Sequence, residues 1–239
     1  MSHPTYFMGF YWGSRQVDIP SFTRSMYLIL DELGRLRDDW KKWYWVTGSK
    51  TNLDPFHPEL SLTAERIEAC ANRRDSDKKI ISELGRSFSL WTGQQEDEVS
   101  SVMRVAVGVT SPRVTNSFTI SFPSGAGQVT MLSISLITQM FSILVPRLDP
   151  DWGIFTSRQL RSVAPKGPAK DQTLGLMNYL SNIPQVVYES GRLQELGCSL
   201  VPIMGVRSPL IQLSSSIPSL LSDEEMAQKI SEVAQALHQ

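Results

Sequence analysis

The sequence predicts an α+β fold, a mostly antiparallel sheet packed with several helices. Three observations predict it. Segments of period-2 alternation follow one another between Ser87 and Phe122, and their short connections favour antiparallel neighbours. Apolar residues recur at helical spacing before and after them, from Phe22 to Trp40 and from Met226 to Leu237. Hydrophobic content of 41% and charged content of 20%, with six Trp, six Tyr and nine Phe, give ample core material and argue against disorder. No internal repeat or low-complexity tract breaks the 239 residues, and a single domain over 1–239 is expected.

Thr5–Trp12 is aromatic-rich, ends at Gly13, and reads as a buried first strand. Pro20 and Ser21 open a helix, since proline in a first turn forfeits only an N–H that has no partner there. Its apolar face is Phe22, Met26, Ile29, Leu30, Leu33 and Trp40, and Gly34 weakens its far end by about 1 kcal/mol relative to Ala. Trp43–Val46 reads as a brief strand or as aromatic packing, and Thr47–Pro58 as turn-rich loop. Ser61–Asn72 is a second helix, with Ser61 as its cap and Leu62, Ile67, Cys70 and Ala71 as its apolar face.

The stretch Asn72–Gly93 then joins a charged loop to the strand Ser87–Trp91, with Phe88 and Leu90 on one face. Arg73, Arg74 and Asp75 are expected to tie the preceding helix to this strand through ion pairs. Ser101–Thr110 alternates through Val102 (or Met103), Val105, Val107 and Val109, and Asn116–Phe122 through Phe118, Ile120 and Phe122, with a turn at Ser111-Pro112. Pro123–Gly127 is a glycine-rich turn, and Val129–Leu144 a largely buried helix. Trp152–Thr156 is a strand, Ser157–Val163 a short helix and Ala164–Lys170 a linker. Leu174–Leu180, Val186–Tyr188 and Leu200–Met204 read as strands or irregular segments. Ser222 caps a last helix whose first turn holds Asp223, Glu224 and Glu225 and whose face is Met226, Ile230, Val233, Ala234 and Leu237.

The residues offer little catalytic chemistry. His3, His57 and His238 are far apart, and no C-x-x-C or H-x-x-x-H spacing exists, so a zinc site is poorly supplied. Cys70 sits on an apolar helix face and Cys198 has no basic neighbour in sequence; a reduced pair is expected rather than a disulfide or a nucleophile. Gly125-Ala126-Gly127 lacks the remainder of a dinucleotide-binding fingerprint and reads as a plain turn. A net charge of -1 argues against binding nucleic acid by phosphate neutralisation. Met131–Val145, the most apolar run, is too short and too polar to span a bilayer, and the first residues lack the form of a secretory signal; a cytoplasmic location is expected. Tyr6, Phe7, Phe10, Tyr11 and Trp12 read as core. Acidic loops at Glu96, Asp97, Glu98 and at Asp149, Asp151 are candidate docking groups, because local charge steers association.

Tyr11-Trp12-Gly13 with Arg15, then Asn72-Arg73-Arg74-Asp75 leading through Glu83-Leu84-Gly85 to Ser87-Phe88-Ser89-Leu90-Trp91-Thr92-Gly93, resembles the immunity protein 52 family of bacterial polymorphic-toxin systems. The likeness is clearest up to Gly93, and is nearest to immunity partners of type VI secretion nuclease effectors. The W-x-G pattern falls on Trp91 and Gly93; Thr92 stands between them where asparagine is more usual. The resemblance implies an α+β protein without enzymatic activity or cofactor. Its partner would be a cognate toxin with a restriction-endonuclease-like nuclease domain, with no direct nucleic acid, membrane or small-molecule substrate. Tyr11, Trp12, Gly13, Arg15, Arg73, Arg74, Asp75, Trp91 and Gly93 are then family markers. Two other readings of the chain stand beside it: a small metal-dependent hydrolase or nuclease using Asp75, Asp77 and Glu83 beside Lys78 and Lys79, and a structural module of a secretion apparatus.

Overall fold

The structure is a computed structural model describing residues 4–47, 53–56, 59–72, 78–94, 99–124, 132–164, 172–217 and 222–237. In chain order the elements are β1 (Tyr6–Trp12), α1 (Ile19–Leu36), β2 (Tyr44–Trp45), β3 (Asp54–Pro55), α2 (Leu60–Ala69), β4 (Arg86–Trp91), β5 (Val102–Val107) and β6 (Asn116–Ser121). There follow α3 (Ile134–Leu148), β7 (Trp152–Ser157), α4 (Arg158–Val163), β8 (Met177–Leu180), α5 (Gln185–Glu189), α6 (Arg192–Glu195), β9 (Ser199–Val201), β10 (Leu210–Gln212) and α7 (Asp223–Leu237). The α+β class is as expected. The chain forms two compact units, one contiguous over Tyr11–Ser121, the other built from Met1–Phe10 and Phe122–Gln239.

In the contiguous unit the strands lie in the order β3-β2-β4-β5-β6 and pair antiparallel. The expected meander is β4-β5-β6. Its register aligns Phe88 with Val105 and Phe118, and Leu90 with Met103 and Ile120, and all six are buried. Met103, not Val102, belongs to this face; one step along a strand reverses the side, which leaves Val102 half-buried with Arg104 on the other. Aromatic rings connect helix to sheet. Tyr27 of α1 lies 5.3 Å from Phe56, Phe56 lies 5.5 Å from Trp45, and Trp45 lies 5.3 Å from Phe88. Arg66 of α2 stacks 4.4 Å above the Trp45 ring and pairs with Asp54 at 2.5 Å. Trp43–Val46 therefore resolves as both alternatives at once, a two-residue strand with packed indoles. Its partner β3 lies inside the stretch read as loop, because two residues including a proline leave no alternation to see.

Helix α1 starts where proline suggested, but its cap is Asp18, whose carboxylate accepts from Ser21 N at 3.0 Å. It stops at Leu36, and Trp40 sits in a separate 3₁₀ turn, Asp38–Trp40. A Cβ on Gly34 would lie 3.2 Å from Lys41 Cα, so glycine lets this returning turn pack against the helix. Helix α2 begins one residue earlier than predicted and Ser61 does not cap it; the Ser61 hydroxyl bonds Glu59 instead. Its inward face is Thr63 and Ile67, while Leu62 is exposed.

In the other unit the order is β1-β7-β8-β10-β9, with β8 antiparallel to β7 and β10 and β9 antiparallel to β10. Helix α3 covers one face of β1, where Phe141 meets Phe10 edge-on at 5.2 Å. Arg161 of α4 lies over Phe7, which points to the opposite face. All four residues of β8 are buried, and five of six in β7. Helix α3 differs from the prediction at both ends. Ser133 caps it by accepting from Leu136 N at 3.1 Å, so it starts at Ile134, and it runs through Pro146 to Leu148. Proline is tolerated there because the carbonyl deprived of a bond belongs to exposed Ser142.

Ser157 caps α4, accepting from Leu160 N at 3.0 Å. Val186–Tyr188 is helical, not a strand; Pro184 supplies the preset φ that starts the turn. Of Leu200–Met204 only the first two residues are strand, and α6 and β10 appear where no element was predicted. The predicted cap of α7 is a reciprocal box: Ser222 Oγ accepts from Glu225 N at 3.2 Å, and Glu225 accepts from Ser222 N at 2.8 Å. The whole predicted α7 face is buried. The Gly125–Gly127 turn and linker residues 165–170 lie outside the described residues.

Candidate functional site

The Asn72–Gly93 stretch is built around two backbone positions that need glycine. Gly85 has φ +63°, and a Cβ there would meet backbone of β5 and the turn after it, 2.7 Å from Val109 N. Around it, Asn72 N donates to Gly85 O at 3.0 Å and the Asn72 amide to Leu84 O at 2.6 Å. Thr110 and Ser111 N–H groups both donate to Glu83 O at 3.0 Å. Gly93 has φ +82°, and a Cβ there would lie 2.6 Å from the Tyr44 ring. Trp91 beside it is buried and pairs with Tyr44 and Val102. Between them, the Thr92 hydroxyl accepts from Ser101 N at 3.0 Å and lies 3.3 Å from the Ser100 hydroxyl. Threonine thus supplies the turn with an acceptor at the position where asparagine is more usual.

The second marker group is also structural in its contacts. Trp12 is buried and Tyr11 half-buried. Gly13 O accepts from the Asn116 amide at 2.6 Å, and Arg15 N donates to Val109 O at 3.0 Å. Asn116, fully buried, also accepts from Val109 N at 2.8 Å and donates to Val109 O at 3.1 Å. Sequence reading missed this residue; its one signal is a lone amide opening an alternating segment. Arg73, Arg74 and Asp75 lie outside the described residues, so their expected ion pairs do too. The described link from α2 to β4 is Arg86, which bonds the Glu68 carboxylate through Nε at 2.7 Å and through Nη2.

Of the candidate docking groups, Glu96, Asp97 and Glu98 lie outside the described residues. Asp149 and Asp151 flank the corner between α3 and β7. Asp149 is exposed and holds the left-handed position that ends α3, φ 45°. Asp151 is half-buried, and its carbonyl accepts from Ser181 N at 3.0 Å and Ser181 Oγ at 2.9 Å. Burial raises the Tyr179 hydroxyl, and the carboxylates of Asp149 and Asp151 raise it further. Both carboxylates thus act on the same hydroxyl at this corner.

Of the residues proposed for hydrolysis, Asp75 and Asp77 lie outside the described residues and Glu83 is exposed. No group of three or more His, Cys, Asp or Glu suited to a metal ion occurs among the described residues. Burial raises the thiols of Cys70 and Cys198, which keeps them protonated and poorly nucleophilic. Tyr188, pushed up to about 12 by burial, donates to Leu180 O at 3.1 Å as a core hydrogen bond. No described helix is long and apolar enough to cross a membrane.

Among curated proteins none matches the sequence significantly. Among solved structures, the Pseudomonas aeruginosa T6SS protein PA0821 is similar in fold, with a TM-score of 0.57 and 11% identity over 98% of this chain and 73% of that one. The model of the Immunity protein 52 family matches residues 4–188, a span that takes in both marker groups and the whole meander. This chain belongs to the Immunity protein 52 family.

Proposed function

We propose that the protein neutralises a cognate nuclease toxin of a type VI secretion system by binding it in the cytoplasm of the producing cell. The observation that carries this reading is the family match over residues 4–188. The fold shared with a T6SS protein supports the secretion context. Inhibition is by occupancy, not by chemistry. The toxin domain is restriction-endonuclease-like, so it presents a basic substrate groove, and the acidic loops of this protein are its complement. Asp149 and Asp151, with Glu96, Asp97 and Glu98, steer the encounter.

The test is co-expression with the toxin encoded beside it. Cells are expected to survive only with both proteins, and the two to elute together on gel filtration. Continued killing with no complex overturns the reading. Reversing the charge of Asp149 and Asp151 together is expected to slow association about 10-fold at low salt, with the difference fading as salt is added. An unchanged association rate removes those two residues from the docking surface.

A further inference from the structure

An open hollow of about 600 Å³ lies in the contiguous unit between α1 and the β2–β3 pair. Its apolar walls include Tyr27, Leu30, Trp43, Tyr44, Leu53 and Phe56. Trp43 is buried; Tyr27, Tyr44 and Phe56 are half-buried, and Leu53 is 43% exposed. Aromatic walls left partly open are the makings of an interface anchor, because aromatic pockets concentrate binding energy.

The polar groups at the rim narrow the choice of occupant. Asp31 is held by Arg35 at 2.6 Å and Lys41 by Asp38 at 2.6 Å, so each of these charges is already balanced within the chain. Lys42 is exposed and leaves the rim with a positive balance. The charged groups of the lining, Asp31, Lys41 and Lys42, are all exposed at the rim, whereas a small-molecule site buries its few polar groups among apolar walls. Strand addition is also disfavoured, since the outer strand β3 is only Asp54–Pro55 and proline has no N–H to pair. What fits is a side chain inserted from a partner surface, apolar at its body and next to a carboxylate.

We infer that this hollow is an anchor site for the toxin, receiving an aromatic or aliphatic toxin side chain while an adjacent toxin carboxylate pairs with Lys42. The inference rests on the immunity reading above and assigns a second role beside acidic steering: the aspartates set how fast the partners meet, and the hollow sets how slowly they part.

The experiment measures association and dissociation of the full-length chain with a catalytically inactivated form of the toxin encoded beside it. Leu53→Arg, at an exposed position, is expected to weaken binding about 100-fold, mostly through faster dissociation. Lys42→Glu is expected to weaken it about 10-fold, and Lys42→Arg to stay within about 2-fold of wild type. Thermal melts of the free variants serve as the folding control. If wild type binds and both Leu53→Arg and Lys42→Glu stay within about 2-fold, the hollow is not the anchor and the immunity reading stands. If wild type does not bind, both fall. If Leu53→Arg alters the mass of the free protein by light scattering while toxin affinity holds, the hollow joins copies of this chain, and the inference is overturned.

Discussion

The two units handle their strands differently. In the contiguous unit, β6 alternates strictly between buried and half-buried positions, and β5 nearly so. In the other unit β8 is buried at every residue, and β7 at all but the first. One sheet region is covered on a single face, the other on both. The difference decides what a sequence can reveal. A one-sided sheet must alternate, because each second side chain meets water, and serines and threonines mark the wet positions at 87, 89, 117, 119 and 121. A two-sided sheet has no such requirement, and its strands read as short apolar runs that could equally be helix.

The largest effect that tests this contrast compares neighbouring residues. In β7, Phe155→Ala is expected to cost about 4 kcal/mol and the adjacent Ile154→Ala about 3 kcal/mol, since both faces are packed. In β6, Phe118→Ala is expected to cost about 4 kcal/mol and the adjacent Thr119→Ala no more than about 0.5 kcal/mol. Urea unfolding of the four variants reads all the values. A Thr119→Ala loss as large as that of Ile154→Ala would break the comparison.

An intermediate effect sharpens it on the one-sided unit. Gly93→Ala is expected to cost about 2 kcal/mol, from positive φ and from displacement of the Tyr44 ring. Because Tyr44 also lines the hollow, the same variant should weaken toxin binding more than its stability loss alone explains. Affinity measured well below the melting temperature separates the two.

The smallest effect belongs to the two-sided unit. Ser222→Ala removes one arm of the α7 cap and is expected to cost about 1 kcal/mol. Glu225, the other arm, is held below the ordinary glutamate range by its hydrogen bonds to the Ser222 backbone and hydroxyl. A carboxylate with a depressed folded pKa adds stability that is complete above its unfolded pKa and lost as pH falls through the folded one. Glu225→Ala, which removes this carboxylate, should therefore carry a penalty that shrinks in acid, while Ser222→Ala keeps the backbone N–H that lowers Glu225 most; stability measured across that range would show the difference.

The fold was legible where physics leaves a local trace. The meander, β1, α7 and the Ser222 cap each follow from spacing or from a cap residue. What stayed hidden depends on distant partners. Strand β3 exists because Trp45 and Arg66 hold Asp54 in place, and α2 lost its predicted cap because the Ser61 hydroxyl found Glu59. Val186–Tyr188 has strand-like residues, yet Pro184 and burial of Tyr188 make it helical. The candidate site divides in the same way. Glycine and tryptophan markers were visible as residues, but the reason for Gly93 is a ring 49 positions away in sequence. The hollow left no trace at all, since its walls come from three segments that read separately as a helix face, a brief aromatic strand and a turn-rich loop.

The division of the chain into residues 11–121 on one side and two flanking pieces on the other bears on how the protein is made. Synthesis delivers the first unit whole while more than a hundred residues are still to come. The second holds its opening ten residues from the start and cannot close until the region after Phe122 has emerged. Every strand pairing inside the unit that carries the hollow is thus available to the chain before those of the other unit.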